Sequence, residues 1–447
     1  MLVFGLIVCS NTSYPTHTGI PQTSPVTRDI YMSAAAHSSP SEPSSYRYLI
    51  IAVSFMTLAG ASGASSAFSV FYPELLDVFG WSHASGALVY SVNMLVVAIS
   101  SPLLGWLLDR FGPRWLFTAA AIVIGLAFGA CSRVSNLGQY ALAYGVLSAL
   151  GQTALLSTTV VVAKWFVRAQ QGRAIGVADV GTGFGMVALT PGTAWLITQF
   201  GWQTAFVVLG AVIMLVLAPL NLLHRPAPAE PATSSPSISL SLLLRRYDLW
   251  MLCAAHLFMS ITMTMVNVHL IEFLVGTGVL QLFAAAALLS AVSLVSLPGR
   301  MFFGWLVDRL HPNGAFSLAM SCTMLGFGVL LLLAYFETRW LLYAFVVIYG
   351  FAQGAGGISI AAKTVALFHG PYVGTIFMVV NPSGNLGAAI GAWLGGRLFD
   401  LSGSYTLTFT TAIVSGLLAI GCMWLGGSNR RSLAAPKMPE PPVIGIP

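Results

Sequence analysis

The stretch Gly105–Arg114 reads GWLLDRFGPR, and its first six residues recur almost unchanged as GWLVDR at Gly304–Arg309. The second copy lies near the middle of the second half of a chain of 447 residues. Each copy begins inside a long apolar run and ends on an Asp-Arg pair at the end of that run. A motif that returns at the same structural position half a chain later indicates two halves built on one plan.

The composition places this chain in a lipid bilayer. Hydrophobic residues make up 57% of it and charged residues only 7%, and the mean hydropathy is +0.83. Soluble proteins usually carry about 25% charged residues. Apolar runs of about 20 residues are long enough to cross a hydrocarbon core of about 30 Å. Because backbone polar groups need partners inside lipid, we expect each run to be a helix.

Twelve such runs follow one another along the chain. They predict an all-α polytopic membrane protein with twelve transmembrane helices in two pseudo-symmetric six-helix bundles. The predicted domains are a disordered tail (1–46), the first bundle (47–223), a Pro/Ser-rich cytoplasmic linker (224–246), the second bundle (247–427) and a cytoplasmic tail (428–447). The expected spans are 47–73, 83–108, 114–133, 137–163, 172–199, 202–223, 247–274, 279–307, 314–335, 339–363, 371–399 and 404–426.

The net charge of +6 does not point to nucleic acid here, because basic residues collect in cytoplasmic loops of membrane proteins. If both termini are cytoplasmic, 15 of the 19 Lys and Arg residues fall on the inner side. Three fall on the outer side, and Arg300 is left within a helix. This asymmetry predicts a multi-pass protein of the plasma (inner) membrane with both termini cytoplasmic. The lipid bilayer is its expected surrounding, and we expect a monomer.

Features of an enzyme are missing from the sequence. The five cysteines are scattered without metal-ligand spacing, and there is no nucleophile–base constellation or phosphate-binding GxxxxGK[ST] motif. We therefore expect no catalytic residue, no cofactor and no metal. Two repeats around a midplane site are typical of secondary transporters. Energy then has to come from an ion gradient or from exchange.

The stretch GWLLDRFGPR and its second copy resemble the loop signature of the major facilitator superfamily over about residues 47–427. A narrower resemblance lies in FGWSHASGALVYSVNML, AKWFVRAQQGRAIG, NVHLIEFLVGTG and FDLSGSYTLTF. These stretches are similar to the branch of monocarboxylate porters and oxalate/formate exchangers. The resemblance implies a carrier that works by alternating access.

The signature also implies a gate. In the family, its glycine permits close helix approach, and its Asp-Arg pair links helices when the inner side is shut. The alternative is that these residues only anchor the membrane topology. The second copy keeps fewer of the positions, which predicts a weaker gate there. The matching residues are Gly105, Asp109, Arg110 and Arg114 in the first copy and Gly304, Asp308 and Arg309 in the second.

Arg300 is the residue at which the two repeats differ most, because Ser101 occupies its position in the first copy. In the resembled branch, an arginine four residues before the loop glycine binds the substrate carboxylate. Arg300 lies eight residues before Asp308, about 12 Å along a helix, where a charge costs at least about 2.5–3.5 kcal/mol. It therefore needs a wet cavity or an anion, and its planar fork fits a carboxylate. The alternative is a structural pair with Asp179.

Three positions depart from the branch. Val70 stands where animal monocarboxylate porters carry a lysine, and Ser296 where they carry an acid one turn before the arginine. Asn381 replaces the second cation of oxalate exchangers. These departures argue against a dicarboxylate held between two cations and leave the coupling mechanism open.

Further polar residues inside the helices complete the candidate set. Asp179 is the only carboxylate well inside a span, and either it carries a proton, it pairs with Arg300, or it lines a hydrated vestibule. Histidines and amides in apolar helices also serve as packing hydrogen bonders. The coupling candidates are Asp179, His269 and His256, and the substrate-binding candidates besides Arg300 are Asn381, Gln152, Gln353, Asn93 and Tyr90.

Stretches of small residues at 59–66, 181–185 and 384–396 predict close helix contacts, which we expect to be sliding surfaces between the halves. The functional hypothesis is a secondary carrier of a small organic monocarboxylate, by proton symport or anion exchange. The alternatives are an efflux carrier for an apolar or cationic compound and a membrane sensor that moves nothing.

Overall fold

A computed structural model describes residues 44–166, 168–226, 244–333, 336, 338–368 and 373–426, and these are almost entirely helical. Eight continuous helices within this part are long and apolar enough to cross a membrane. The all-α fold class is therefore confirmed. The predicted tails up to residue 43 and beyond residue 427, and most of the predicted linker (227–243), lie outside the described residues.

Three of the long helices are each divided by one residue with a positive φ: Gly112 (75°), Gly201 (79°) and His311 (69°). With these divisions the described part contains twelve helical segments, at the positions predicted from the sequence. They are α1 (Ser44–Phe79), α2 (83–111), α3 (113–131), α4 (Leu137–Trp165), α5 (168–200), α6 (202–221), α7 (Tyr247–Gly276), α8 (282–310), α9 (312–333), α10 (Arg339–Ala352 and Ala355–Leu367), α11 (Val373–Ser402) and α12 (Thr406–Leu425).

The turns after α2 and α8 show the sequence repeat in three dimensions. Gly112 precedes Pro113, and His311 precedes Pro312 at the same step of the second repeat. Proline suits the first turn of the helix that follows, because its fixed φ matches the helix and its missing N–H needs no partner. A positive φ suits glycine, whereas a non-glycine residue in such a region costs about 1–3 kcal/mol. The second repeat thus keeps the turn with a less suitable residue.

Glycines let two pairs of helices touch backbone to backbone. In the first bundle, Gly181 and Gly185 of α5 lie against the carbonyl groups of Phe55 and Ala59 in α1. A Cβ atom at either glycine would collide with those carbonyl oxygens. The partner carbonyls are four residues apart and so are the glycines, as expected for neighbouring turns of packed helices.

The second bundle repeats this arrangement. Gly387 and Gly391 of α11 lie against the carbonyl groups of Leu257 and Ile261 in α7. The close contacts predicted from the small-residue stretches at 181–185 and 384–396 are therefore present. These backbone contacts join helices within each bundle, whereas Gly396 in the same α11 stretch lies against the backbone of His83 and Ala84 in the other bundle. Our expectation that the stretches slide between the halves stays a prediction.

The two bundles are joined at the end of the molecule that we call the Asp400 end. There the Asp400 carboxylate of α11 accepts the backbone N–H groups of His83 and Ala84 in α2, at 2.9 Å each. Further along the same two helices, the Ser91 hydroxyl donates to the Ala389 carbonyl at 2.6 Å. Because α2 belongs to the first bundle and α11 to the second, these bonds close the Asp400 end.

Candidate functional site

A cavity of about 660 Å³ lies between the bundles at the opposite end, which we call the Asp109 end. Its walls come from α2 and α4 of the first bundle and from α7 and α11 of the second. Asp109 and Lys164 belong to its lining, and their side chains are 71% and 56% exposed. The cavity is therefore open to solvent at this end, while the Asp400 end is closed. Its polar lining deeper inside includes Ser101, Ser157, His256, Asn381 and Asn385.

Arg300 connects the two bundles through α8 and α5, which do not contribute to the lining of this cavity. Its Nη1 donates to Oδ2 of Asp179 at 3.2 Å, which joins α8 to α5. Oδ1 of Asp179 accepts the Thr182 hydroxyl at 3.2 Å. The side chains of Arg300 and Asp179 are 32% and 45% exposed, so the pair lies in a place that water reaches. The structure thus brings together the two residues proposed as partners. They share a single hydrogen bond rather than a bidentate pair.

The backbone opposite Arg300 is broken. Helix α10 is interrupted at Gln353 and Gly354, and Gly354 has a φ of 85°. A Cβ atom at Gly354 would lie 2.8 Å from Nε of Arg300. Only glycine therefore fits against the guanidinium at this backbone conformation. Within the described residues Nε of Arg300 is buried and has no hydrogen-bond partner, so donor capacity remains on this side chain.

Gln353 belongs to a network next to this break. Its Nε2 lies 3.5 Å from Oδ1 of Asn267, and the same oxygen accepts the Tyr349 hydroxyl at 2.8 Å. The Asn267 carbonyl accepts the Ser69 hydroxyl of α1 at 2.9 Å. This network joins α10 to α7 and α7 to α1, so it couples the break beside Arg300 to both bundles. Asn267 was missed at the sequence level, although it lies two residues before His269 in the stretch NVHLIE.

The two candidate histidines lie in different surroundings. His256 lines the cavity, and its Nδ1 lies 3.1 Å from the Val380 carbonyl. Because a carbonyl only accepts, Nδ1 carries the hydrogen in this contact. His269 is fully buried, with Nε2 2.9 Å from the Ala392 carbonyl. The His269 ring therefore lies in the α7–α11 contact and outside the cavity lining.

Three other candidates lie inside the first bundle. Asn93 donates to the Tyr144 carbonyl at 2.9 Å, and Gln152 donates to the Ser148 hydroxyl at 2.7 Å. The Tyr90 ring packs 5.1 Å from the ring of Phe68. In this conformation Asn93 and Tyr90 make contacts between helices and Gln152 makes one within α4, and the assignment of the three residues to substrate stays a prediction. Asn381, by contrast, lines the cavity as predicted.

The gate residues lie at the Asp109 end. Asp109 accepts from Nζ of Lys164 at 3.1 Å, so its ion pair joins α2 to α4 within the first bundle. Gly105 lines the cavity, and a Cβ atom at Gly105 or Gly304 would meet nothing within 4 Å. Each of the arginines Arg110, Arg114 and Arg309 stacks on a tryptophan, 5.1, 5.2 and 5.3 Å from Trp106, Trp115 and Trp305.

These positions agree with an open Asp109 end. The resemblance implied a latch across helices when this end is shut, and the bundles are apart here. Asp308 is exposed on α8, at the position that matches Asp109.

The comparison with protein families decides the classification. The model of the Major Facilitator Superfamily matches residues 53–392. The chain belongs to the major facilitator superfamily. It is a multi-pass membrane transporter and not an enzyme.

Relatives of this chain are also transporters. Monocarboxylate transporter 13 of Bos taurus is 27% identical over 379 residues, which cover 82% of this chain and 85% of the relative. The uncharacterized MFS-type transporter YcxA of Bacillus subtilis is 23% identical over 394 residues, covering 84% and 94%.

A bacterial homolog of the human lysosomal transporter Spinster, solved in an inward-facing and occupied conformation, superposes with a TM-score of 0.70. It is 14% identical, and the match covers 86% of this chain and 97% of that one. This likeness shows that the two chains share the major facilitator fold.

The Asp109–Lys164 pair of this transporter yields a first prediction. Changing Asp109 to asparagine should alter the free energy of unfolding by less than about 1 kcal/mol, because an exposed ion pair contributes little stability. We expect turnover to fall by about tenfold, because we propose that Asp109 belongs to the latch that the resemblance implies for the closed Asp109 end. Uptake kinetics and the thermal unfolding midpoint measure the two effects. The same change at Asp308 should have a smaller effect on turnover, and an Asp109→Asn protein with undiminished turnover would reduce the motif to a topology anchor.

Proposed function

We propose that this transporter moves a small organic monocarboxylate by alternating access, with Arg300 as the group that binds the carboxylate. The proposal rests on the position, the exposure and the hydrogen bonding of Arg300. This cation lies well inside a span, is 32% exposed, and makes one contact with Asp179. A half-buried guanidinium with an unused donor at Nε is a site for a planar anion.

The cavity between the bundles, which Arg300 does not line, adds no second cation. The cavity lining deeper than Asp109 and Lys164 carries no lysine, arginine or carboxylate among the described residues that form it. Its polar groups there are hydroxyls, the imidazole of His256 and the amides of Asn381 and Asn385. Neutral groups can bond a hydroxyl or carbonyl of the substrate but give no second cation for a dicarboxylate. The monocarboxylate transporters among the relatives agree with this assignment.

Asp179 is the residue that would couple transport of the anion to a proton. When a substrate carboxylate takes the Arg300 guanidinium, Asp179 loses its cationic partner. A proton on Asp179 would then keep the charge beside the bound anion balanced. Proton binding to Asp179 and anion binding to Arg300 then favour each other, which makes proton symport our preferred mode and anion exchange the alternative. Both keep the total charge around Arg300 constant.

The orientation follows from charge. The excess of Lys and Arg predicts that the Asp109 end is cytoplasmic, and on this basis the conformation described is open to the cytoplasm. We propose the plasma (inner) membrane as its location, with both termini cytoplasmic and a monomer as the working unit.

Uptake into proteoliposomes tests the function. The purified transporter would be given labelled lactate, pyruvate and benzoate, with oxalate, succinate and a quaternary ammonium compound as comparison substrates. We expect saturable uptake of at least one monocarboxylate, stimulated when the external buffer is more acidic than the lumen. Protein-free liposomes control for diffusion of the undissociated acids. Saturable uptake of the cation, with none of the monocarboxylates moving, would contradict the proposal.

A further inference from the structure

An ionic cluster at the Asp400 end has not been assigned a role so far. We call it the outer cluster, and it consists of His83 on α2, Glu272 on α7 and Asp400 on α11. Nε2 of His83 lies 3.2 Å from Oε1 of Glu272, and Nδ1 lies 3.3 Å from Oδ1 of Asp400. The three side chains are only 21%, 15% and 16% exposed. The cluster joins the first bundle to two helices of the second.

The backbone strengthens this junction. The Asp400 carboxylate accepts the N–H groups of His83 and Ala84 at the start of α2. A carboxylate is favourable at a helix N-terminus because of the free N–H groups and the helix dipole. The His83 ring also lies 4.0 Å from the ring of Phe399. Opening the Asp400 end would separate α2 from α11 and break all of these contacts.

The geometry of the His83 ring depends on its protonation. A neutral imidazole has one N–H donor and one acceptor nitrogen, whereas an imidazolium has two donors. Both nitrogens of His83 face ionisable carboxyl groups, from opposite edges of the ring. A neutral ring with its hydrogen on Nε2 donates to Glu272 only, whereas a protonated ring also places positive charge beside Asp400. In the closed cluster a positive charge on this ring lies within 3.3 Å of two carboxylates, so a charged ring holds the two bundles together more strongly than a neutral one.

Other titratable groups around His83 come from every neighbouring element. On α1, the Tyr72 hydroxyl donates to the His83 carbonyl at 2.8 Å. On α7, His269 lies near the cluster, buried between Tyr72 and Tyr405. Tyr405 lies before α12, with its ring 6.2 Å from that of His83. Burial first, and then Tyr72, Glu272 and Asp400, raise the pKa of Tyr405 well above its ordinary value, so Tyr405 stays neutral.

We propose that His83 is a proton-binding site that controls the Asp400 end: protonated His83 holds this end closed, and loss of the proton lets it open. Because His83 is partly exposed at this end, its proton exchanges with the solution on that side. Acidification there therefore shifts the transporter toward the conformation open at the Asp109 end. The inference rests on alternating access in the proposed function, but not on the identity of the substrate.

Distances between spin labels test the proposal without any substrate. Ser135→Cys in the loop after α3 and Ser404→Cys in the loop after α11 are exposed positions on different bundles at the Asp400 end. The native cysteines would be replaced by alanine, and labelled transporter in lipid nanodiscs would be measured at pH 5.5 and at pH 8.5. We expect one short distance at the acidic pH. At pH 8.5 a longer population should appear, with an open-to-closed ratio at least about tenfold higher.

Two variants and a control make the result specific. His83→Gln should remove the pH dependence, and His83→Lys, which keeps a positive charge, should stay closed at both pH values. His311→Asn changes an exposed histidine at the Asp109 end and should leave the pH response intact. A pH response that survives in His83→Gln, or no response in the parent protein, would overturn the proposal. Either result leaves monocarboxylate uptake, measured separately in proteoliposomes, unaffected.

Discussion

Replacing Arg300 with glutamine should lower kcat/KM for monocarboxylate uptake by about 100-fold. A carboxylate held by a guanidinium receives charge-assisted hydrogen bonds worth about 1.5–3 kcal/mol each. Loss of about 3 kcal/mol corresponds to about two orders of magnitude. The protein should still fold, because Asp179 is 45% exposed and water can solvate it after the change. Initial rates in proteoliposomes, normalised to the amount of inserted protein, measure the effect.

Companion variants separate the role of the charge from that of its shape. Arg300→Lys keeps a cation but loses the planar fork, so its activity should fall between those of the parent and Arg300→Gln. Arg133→Gln removes an exposed arginine after α3 and serves as the matched control with unchanged uptake. Asp179→Asn should retain exchange of labelled for unlabelled anion but lose stimulation by a pH gradient. Undiminished monocarboxylate transport by Arg300→Gln would refute the carboxylate assignment and leave Arg300 a structural residue.

The partnership of Arg300 and Asp179 could be anticipated because each is conspicuous in the sequence. One is the cation left within a helix, and the other is the only carboxylate well inside a span. The second copy of the motif also indicated how deep Arg300 lies in the membrane, because the spacing from Arg300 to Asp308 fixes its position along α8. What the sequence left open was which alternative applies to Asp179. The structure shows the two side chains in contact in a conformation open at one end.

The outer cluster could not be anticipated in the same way. His83, Glu272 and Asp400 lie at the ends of three helices that are far apart in the chain, and each alone is an ordinary polar residue at a membrane edge. Only the packing of α2 against α7 and α11 brings them together. The break in α10 was missed for a related reason. A glycine-rich stretch is common in transmembrane helices, and nothing in its composition distinguishes Gly354, with its φ of 85°, from its neighbours.

Changing Gly185 to alanine should destabilise the transporter, whereas the same change at Gly192, about two turns further along α5, should not. A Cβ atom at Gly185 would collide with the Ala59 carbonyl oxygen of α1 and lie 2.6 Å from the Ser62 hydroxyl. At Gly192 it would meet nothing within 4 Å. The two substitutions add the same methyl group to the same helix, so their difference isolates the α1–α5 contact.

We expect Gly185→Ala to lower the free energy of unfolding and Gly192→Ala to leave it unchanged or raise it. Overpacking a closely fitted contact costs about 1–3 kcal/mol, and here the obstacle is backbone, which cannot rotate away as a side chain can. Separation of the helices would also strain the bond from the Ser62 hydroxyl to the Thr182 carbonyl, 2.7 Å long. Alanine at Gly192 instead gains up to about 1 kcal/mol of helix propensity. Thermal unfolding in detergent should therefore show a lower midpoint for Gly185→Ala and an equal or higher one for Gly192→Ala. Equal midpoints for both variants would contradict the prediction. They would mean that α1 and α5 can move apart at Gly185 and Ala59 without loss of stability.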